Sequence, residues 1–187
     1  MTSRRAATVA GTAFLVAALG ALAVFAPRWF GDSDATTAGT PGSAPGPSRT
    51  IKARLFYVSA EGTRLTSVER EVPFAEGSEQ ARELINAQIA PVAAPLVSAV
   101  PPGTALRAIF ITERGDAYVD LSREAADAHW GGTLNEILTV YTIVDALTVN
   151  LPAVRSVQIL IEGKEVPTLA GHVDLRQPLA KNLALVQ

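Results

Sequence analysis

The sequence predicts an α+β domain over residues 50–187, which we call the head, preceded by an N-terminal transmembrane helix and a disordered linker. The predicted head has a single mainly antiparallel sheet built from three hairpins, with two helices packed on one face. Three observations support this prediction. An uncharged stretch of 21 residues occupies positions 6–26, and a stretch rich in Gly, Pro, Ser and Thr occupies 31–49. From residue 50 onward, pairs of strand-like segments alternate with two segments of helical periodicity.

The N-terminal stretch is long enough to cross a bilayer, because a helix of this length at about 1.5 Å per residue spans roughly 30 Å. Arg4 and Arg5 precede it, which predicts that residues 1–5 stay in the cytoplasm and that the rest of the chain is exported. Residues 6–30 are therefore predicted to be a signal-anchor in the bacterial cytoplasmic membrane. A cleavable signal peptide is the alternative, because residues 21–23 have the small-x-small pattern that a signal peptidase favours.

The composition excludes several classes of function. Residues 31–49 have no apolar periodicity, so they are predicted to be a flexible tether that spans about 25 Å as a coil. The head, residues 50–187, carries 12 Lys and Arg against 16 Asp and Glu, a formal charge of −4. This balance argues against nucleic acid as a partner. The chain has no cysteine, which excludes disulfides and a lipid-modified N-terminal Cys.

The first third of the head predicts a hairpin and a helix. Residues 51–55 alternate apolar and charged side chains, residues 56–58 complete this strand, and a second strand over 64–72 ends at Pro73. Ser78 is a candidate N-cap for a helix that runs to about residue 90, since its hydroxyl can accept a bond from a free amide. The apolar residues of this helix share one face, and Pro91 stops it.

The remainder of the head predicts two further hairpins and a second helix. Strands over 105–112 and 117–121 are joined by a turn that needs a positive φ at Gly115. Thr133 and Glu136 form a capping box at the start of a helix that ends near Asn150, and its apolar residues cover more than one face, which predicts deep burial. The last hairpin pairs residues 156–161 with 165–169. Pro167 predicts that its final strand lies at a sheet edge.

Five segments of the head resemble the GerMN (sporulation and spore germination) domain, in the order expected for that family. They are residues 100–106 (VPPGTAL), 115–122 (GDAYVDLS), 141–148 (YTIVDALT), 154–164 (VRSVQILIEGK) and 168–175 (TLAGHVDL), followed by Pro178. The resemblance extends from about residue 55 to residue 179. It implies an extracytoplasmic, membrane-anchored or lipidated domain that acts as a non-catalytic binding or assembly module in the cell envelope, with no catalytic residues and no cofactor.

Two sets of polar residues could have a chemical role instead of a structural one. Asp120, Glu124 and Asp127 could supply paired carboxylates for an envelope hydrolase acting on peptidoglycan, but their positions fit a strand and a short solvated helix. His129 and His172, with Asp127 and Asp174, could bind zinc, but they lack the close spacing of dedicated sites. We expect neither role. Asp145 is the acidic residue among the apolar positions of the second helix, and it is expected to face solvent on a narrow stripe rather than to pair with Arg107 or Arg155.

The edge of the last hairpin is the predicted partner-binding surface, because a free strand edge offers unpaired amides and carbonyls. Val166, Gly171, His172 and Asp174 are the residues assigned to it. The expected partner is an envelope protein or peptidoglycan, and a second copy of the chain is a further candidate. Val166→Glu is predicted to weaken partner capture while leaving the fold intact.

Overall fold

The computed structural model describes residues 49–187, and the predicted anchor (6–30) and most of the predicted linker (31–49) lie outside the described residues. No helix within the described part is long and apolar enough to cross a membrane. The strands are β1 (Thr50–Val58), β2 (Leu65–Pro73), β3 (Leu106–Ile111), β4 (Asp116–Leu121), β5 (Ser156–Ile161), β6 (Lys164–Glu165) and β7 (Leu179–Ala180). The helices are α1 (Ser78–Ile89), α2 (Glu124–Asp127) and α3 (Thr133–Asn150), with a 3-10 turn at Leu183–Leu185.

The described strands form two sheets, so the prediction of one sheet built from three hairpins is wrong, although the α+β class is confirmed. β1 and β2 pair only with each other as an antiparallel sheet, whereas β3, β4, β5 and β6 are neighbours in a second sheet, in which β7 also pairs with β5. β4 and β5 run parallel. They do so because helices α2 and α3 carry the chain back across the sheet between them, and a parallel pair requires such a crossover.

The outer edge of β1 explains why the first hairpin stays separate. Asn150 at the end of α3 accepts a hydrogen bond from the Arg54 amide (2.8 Å) and donates one to the Arg54 carbonyl (2.7 Å). Gln88 of α1 forms the same pair of bonds with the backbone of Phe56, at 2.8 and 2.7 Å. These two side-chain amides occupy the groups that a neighbouring strand would use. The sequence contained no periodic signal for them.

The main core lies between the two long helices and one face of the five-stranded sheet. This face carries Ile109, Val119 and Ile159, which align across β3, β4 and β5 and are buried. They belong to one hydrophobic cluster with Leu84 of α1 and Ile143 of α3. Helix α3 is buried over most of its surface, as its apolar pattern predicted.

The helix caps differ from the predictions. Gly77 and Gly132, both with positive φ, occupy the N-cap positions, and neither helix has a side-chain capping bond. Ser78 and Thr133 are instead the first helical residues. The predicted capping box fails because the carboxylate of Glu136 is directed to a different part of the chain.

Asp145 is fully buried, so the expectation that it faces solvent is wrong, and neither arginine proposed as an alternative pairs with it. One oxygen, Oδ1, accepts a hydrogen bond from the Asn182 amide at 3.0 Å, and Oδ2 has no hydrogen-bond partner. Burial raises the pKa of Asp145, while the Asn182 amide and the charge of Lys181 act in the opposite direction. The side chain fixes the C-terminal residues against α3.

The turn between β3 and β4 confirms the assignment of Gly115. Its φ is 88°, and a Cβ at this position would lie 2.5 Å from the carbonyl oxygen of Ala153. A larger residue would therefore be strained and would also clash with backbone.

The last hairpin is shorter than predicted. β6 contains only Lys164 and Glu165, paired with Ile161 and Leu160, and the chain leaves the sheet before Pro167. β6 does lie at the end of the strand order. The edge that it offers is two residues long.

Candidate functional site

One buried carboxylate fastens residues 166–175, which we call the closing segment, to the start of helix α3. The Glu136 side chain is fully buried. Its Oε1 accepts hydrogen bonds from the amides of Leu169 (2.8 Å) and Ala170 (2.9 Å). Its Oε2 accepts a bond from the His172 amide at 2.8 Å and lies 3.2 Å from Nδ1 of the His172 ring. The closing segment is thus held by its backbone.

The protonation of Glu136 follows from these contacts. Burial acts to raise its pKa, but hydrogen bonds from the backbone amides of Ala170, His172, Leu169 and Val173 outweigh that effect, and the pKa is lowered. A carboxylate that accepts several backbone bonds is stabilised in its ionised form even when it is buried. Glu136 is therefore a structural anion, which the capping-box pattern did not predict.

The four predicted partner-binding residues all lie in the closing segment. Gly171, His172 and Asp174 are exposed, whereas Val166 is half-buried and packs against the main core. Hydrogen bonding from the Arg176 side chain and amide, together with its charge, lowers the pKa of Asp174 to about 2. Val166 packs against the main core, so Val166→Glu would disturb this packing. The change is therefore expected to destabilise the fold as well, contrary to the expectation from sequence.

The three carboxylates considered for hydrolysis each have a structural partner. Asp120 is buried, its Oδ1 accepts a bond from the Gly163 amide at 2.7 Å, and its Oδ2 lies 3.1 Å from an Arg107 guanidinium nitrogen. Asp127 pairs with Arg123 at 2.6 Å. A hydrogen bond from Ser122 is the main cause that lowers the pKa of Glu124, whereas a general acid needs a raised pKa.

The residues considered for zinc are likewise occupied elsewhere. His172 contacts Glu136, Asp174 pairs with Arg176, and Asp127 pairs with Arg123. Among residues 49–187, no group of three or more His, Asp or Glu side chains is arranged to hold a metal ion.

A concave apolar surface near the start of α3 surrounds Trp130, a residue that no sequence pattern indicated. Two cavities, of about 270 and 500 Å³, share Val97, Ser98 and Trp130 in their linings, and we call them together the Trp130 groove. The smaller cavity is lined further by Val58, Gly62, Ala99, Asn135 and Leu138. The larger is lined further by residues 89–92, Leu96 and residues 100–104, which together include three prolines. Trp130 is 58% exposed and Val97 is 57% exposed.

A chain of hydrogen bonds joins the two walls of the groove. Nδ1 of His129 lies 3.0 Å from the Gly131 amide, from which it accepts, so the neutral ring carries its proton on Nε2. That nitrogen lies 3.1 Å from Oγ1 of Thr139, which in turn donates to the carbonyl oxygen of Ala99 at 2.6 Å. Burial is the main cause that lowers the pKa of His129 and keeps the ring neutral. The loop that presents Trp130 is thereby tied to the proline-rich wall.

The groove lining is uncharged. None of its residues, all within the described part of the chain, is Asp, Glu, Lys, Arg or His. Its polar side chains are also engaged internally: Ser98 with the amide of Val100, Thr104 with the carbonyl of Pro101, and Asn135 with the carbonyl of Gly131. A tryptophan followed by two glycines in a loop is the local sequence feature at this surface, but it does not by itself predict a groove.

These features define a small α+β domain with two sheets and an uncharged surface groove. Residues 54–167 match the family described as Germane, sporulation and spore germination, and the chain belongs to this family. The GerMN resemblance seen in the sequence is thus confirmed. Comparison with curated proteins gives no match.

Solved structures share the fold. A protein described as a lipoprotein from Clostridium perfringens is 22% identical, with a TM-score of 0.51 over 71% of this chain and 88% of that one. The first GerMN domain of the sporulation protein GerM from Bacillus subtilis is 18% identical, with a TM-score of 0.50 over 71% and 96% of the two chains. The tandem GerMN domains of the same protein are 19% identical (TM-score 0.50), and the match spans 72% of this chain but 46% of that one.

Proposed function

We propose that this chain is a membrane-anchored protein of the bacterial cell envelope whose GerMN domain lies outside the cytoplasm. The domain would act there as a non-catalytic binding or assembly module in sporulation, germination or envelope maintenance. Arg4, Arg5 and the apolar stretch at 6–26 support the anchor and its orientation. Membership of the Germane family supports the process. Because the chain has no cysteine, its attachment would depend on residues 6–30 rather than on a lipid-modified Cys.

A topology experiment tests the anchor. A reporter enzyme fused after Gln187 should be active only outside the cytoplasm, and the protein should stay with membranes after a high-salt wash. Recovery of a shortened, freely soluble form that begins near Val24 would instead support the cleaved signal peptide.

The Trp130 groove is the surface that we assign to partner binding, and the exposure of Trp130 between two connected cavities is the observation that carries this assignment. Tryptophan is the residue most enriched at energetically dominant positions of interfaces. The His129–Thr139–Ala99 bonds hold the groove in shape, which reduces the entropy that a ligand must remove on binding.

The chemistry of the lining favours a peptide over a glycan as the ligand. A sugar brings many hydroxyl groups, and the engaged side chains of Ser98, Thr104 and Asn135 leave few partners for them. An extended, uncharged peptide with apolar or proline side chains needs few such bonds, and aromatic grooves recognise segments of this kind. The proposed ligand is therefore an uncharged segment of an envelope protein rather than peptidoglycan.

The closing segment is a second proposed contact surface. Gly171, His172 and Asp174 are exposed at the end of the sheet, next to the short edge strand β6. A partner protein or a second copy of the chain could pair with this edge. The edge is only two residues long, so we rank this surface below the Trp130 groove.

Site-specific photocrosslinking tests the groove. A photoreactive residue at the exposed position of Pro102, which lines the larger cavity, should form a covalent adduct with an envelope protein in intact cells. Trp130→Ala should reduce the yield about tenfold, because interface tryptophans commonly contribute more than 1 kcal/mol. Leu183→Ala is the matched control, since Leu183 is also a large exposed apolar side chain but lines neither cavity.

Two results would contradict the proposal. Equal adduct yields from the Trp130 and Leu183 variants would show that the groove does not bind the partner. An adduct that dissolves on treatment with a muramidase would identify wall glycan, and not a protein segment, as the ligand.

A further inference from the structure

A second apolar surface lies where the described chain begins. Ile51, Phe74, Phe110, Ile111, Leu151 and Ala153 border a cavity of about 590 Å³, and we call this surface the entry face. Phe110 is 63% exposed, more than any other large apolar side chain in the described part of the chain, and Phe74 is 37% exposed. Two phenylalanines and an open apolar cavity on one face form a surface suited to an apolar environment.

The polar groups at the entry face do not need a polar ligand. None of the cavity-lining residues, all of them described, is ionisable. The Gln80 amide is engaged by the backbone of the chain, accepting from Ala75 at 2.9 Å and donating to Pro73 at 3.1 Å. At the rim, the Arg49 guanidinium lies 4.1 Å over the Phe74 ring. The surface is thus apolar with a cation beside it.

Strand β1 runs between the entry face and the Trp130 groove. Ile51, near the start of β1, lines the entry-face cavity, and Val58, at its other end, lines the Trp130 groove. A nine-residue strand is roughly 27 Å long, so the two surfaces lie at opposite ends of it. The described chain begins at Arg49, whose guanidinium lies over Phe74 of the entry face, and the predicted linker at 31–49 would span about 25 Å as a coil. The entry face is therefore at the end of β1 where the described chain begins.

We propose that the entry face rests on the outer surface of the membrane in which the chain is anchored, with the Trp130 groove directed away from it. This inference depends on the proposed anchor. Aromatic side chains favour the bilayer interface, and cations favour its anionic headgroups. The Arg49 guanidinium beside Phe74 supplies one such cation at the rim of the entry face.

The tether makes a small contact surface sufficient. Two phenylalanines would bind a vesicle only weakly from solution, as single lipid anchors do. The predicted linker, however, would hold the face at an effective concentration on the order of mM relative to the bilayer. Membrane contact then orients the head without any additional protein.

Fluorescence quenching in proteoliposomes tests this orientation. Because the chain has no cysteine, one cysteine carrying an environment-sensitive dye can be placed at the exposed Ala153 of the entry face or at the exposed Pro102 of the Trp130 groove. The full chain is reconstituted in phosphatidylcholine–phosphatidylglycerol vesicles that contain a headgroup spin-labelled lipid. We expect at least about twofold stronger quenching at Ala153 than at Pro102. Phe110→Ser should reduce the quenching at Ala153, with an unchanged circular dichroism spectrum.

The outcomes separate this inference from the anchor. If the protein sediments with vesicles but the dyes at positions 153 and 102 are quenched equally, the orientation is overturned and the anchor stands. If the protein does not sediment with vesicles, both are overturned. If Phe110→Ser leaves the quenching at Ala153 unchanged, the entry face is not the contact surface.

Discussion

The closing segment and the Trp130 groove both contact the first turns of α3, but they differ in the kind of side chain they use. The first depends on a buried polar group, and the second presents exposed apolar groups. Beneath the closing segment, the buried Glu136 carboxylate accepts hydrogen bonds from the amides of Leu169, Ala170 and His172. In the groove, Trp130 and Val97 leave most of their apolar surface in water. The comparison teaches that satisfied polar groups fix the fold, whereas exposed apolar groups on a fixed frame are available for a partner.

Among the changes that test this comparison, Glu136→Gln is expected to lower the free energy of unfolding most. A glutamine retains one acceptor oxygen, so the amides of the closing segment lose partners while they stay partly buried. We expect a loss of about 3 kcal/mol in the free energy of unfolding. Urea unfolding of the full chain in detergent measures it, and hydrogen exchange should show the amides of Leu169, Ala170 and His172 opening first.

Trp130→Ala is the matched control for that measurement, and it should cost less than about 0.5 kcal/mol because its side chain is mostly exposed. Equal unfolding midpoints for Glu136→Gln and the wild type would mean that the carboxylate does not hold the closing segment.

Acidification is expected to loosen the groove through His129. Burial lowers the pKa of His129 in the folded state, with Glu136 acting to raise it and His172 to lower it. A lowered pKa favours the neutral ring, so its stabilising contribution is present above the ordinary value of about 6.5 and is lost as pH falls through the folded value. Exchange of the Gly131 amide should accelerate as pH decreases, after correction for its intrinsic rate.

His129→Ala should remove that pH dependence and cost about 1.5 kcal/mol at pH 7, because two hydrogen bonds disappear. The adduct formed at Pro102 should also decrease. A variant that keeps the wild-type pH profile would show that another group titrates.

Asp145→Asn is expected to stabilise the protein by about 1 kcal/mol at pH 7. Burial raises the pKa of Asp145, so ionisation at neutral pH is costly in the folded state, and an amide oxygen can still accept from Asn182. A raised pKa contributes stability below the ordinary value of about 3.8 and loses it as pH rises. The gain should therefore shrink below pH 4, and thermal unfolding at both pH values checks it.

Isosteric changes at the other carboxylates should have the smallest effect on function. Glu124→Gln and Asp120→Asn keep shape and remove only acid–base chemistry. Partner capture and an envelope phenotype should stay at the wild-type level, although Asp120→Asn should weaken the contact with Arg107. Loss of function from both changes, with unchanged circular dichroism, would revive the hydrolase hypothesis.

The sequence predicted the local elements well and their assembly poorly. Both long helices, the Gly115 turn and the burial of α3 followed from periodicity and from residue-specific backbone preferences, which act over a few positions. The separation into two sheets did not follow, because it depends on Asn150 and Gln88 meeting the edge of β1 across 96 and 32 residues of chain.

At the candidate sites, too, local patterns were predicted from the sequence, whereas contacts between distant residues were not. The sequence identified the closing segment but assigned Glu136 to a cap, since the capping-box pattern is local and its real partners lie more than 30 residues away. Trp130 was not predicted to belong to a binding surface, because a single tryptophan in a loop forms no periodic pattern. Its importance depends on the proline-rich wall that the fold places beside it.

By itself, the sequence determined the class of the head, the positions of its main elements and its membership of the Germane family, because short-range patterns carry that information. Only the tertiary structure decided which polar groups are satisfied and which apolar groups remain exposed. Burial and hydrogen bonding are properties of residues distant in sequence that become neighbours in space. The two proposed contact surfaces, the Trp130 groove and the entry face, are likewise formed by residues from several separate parts of the chain.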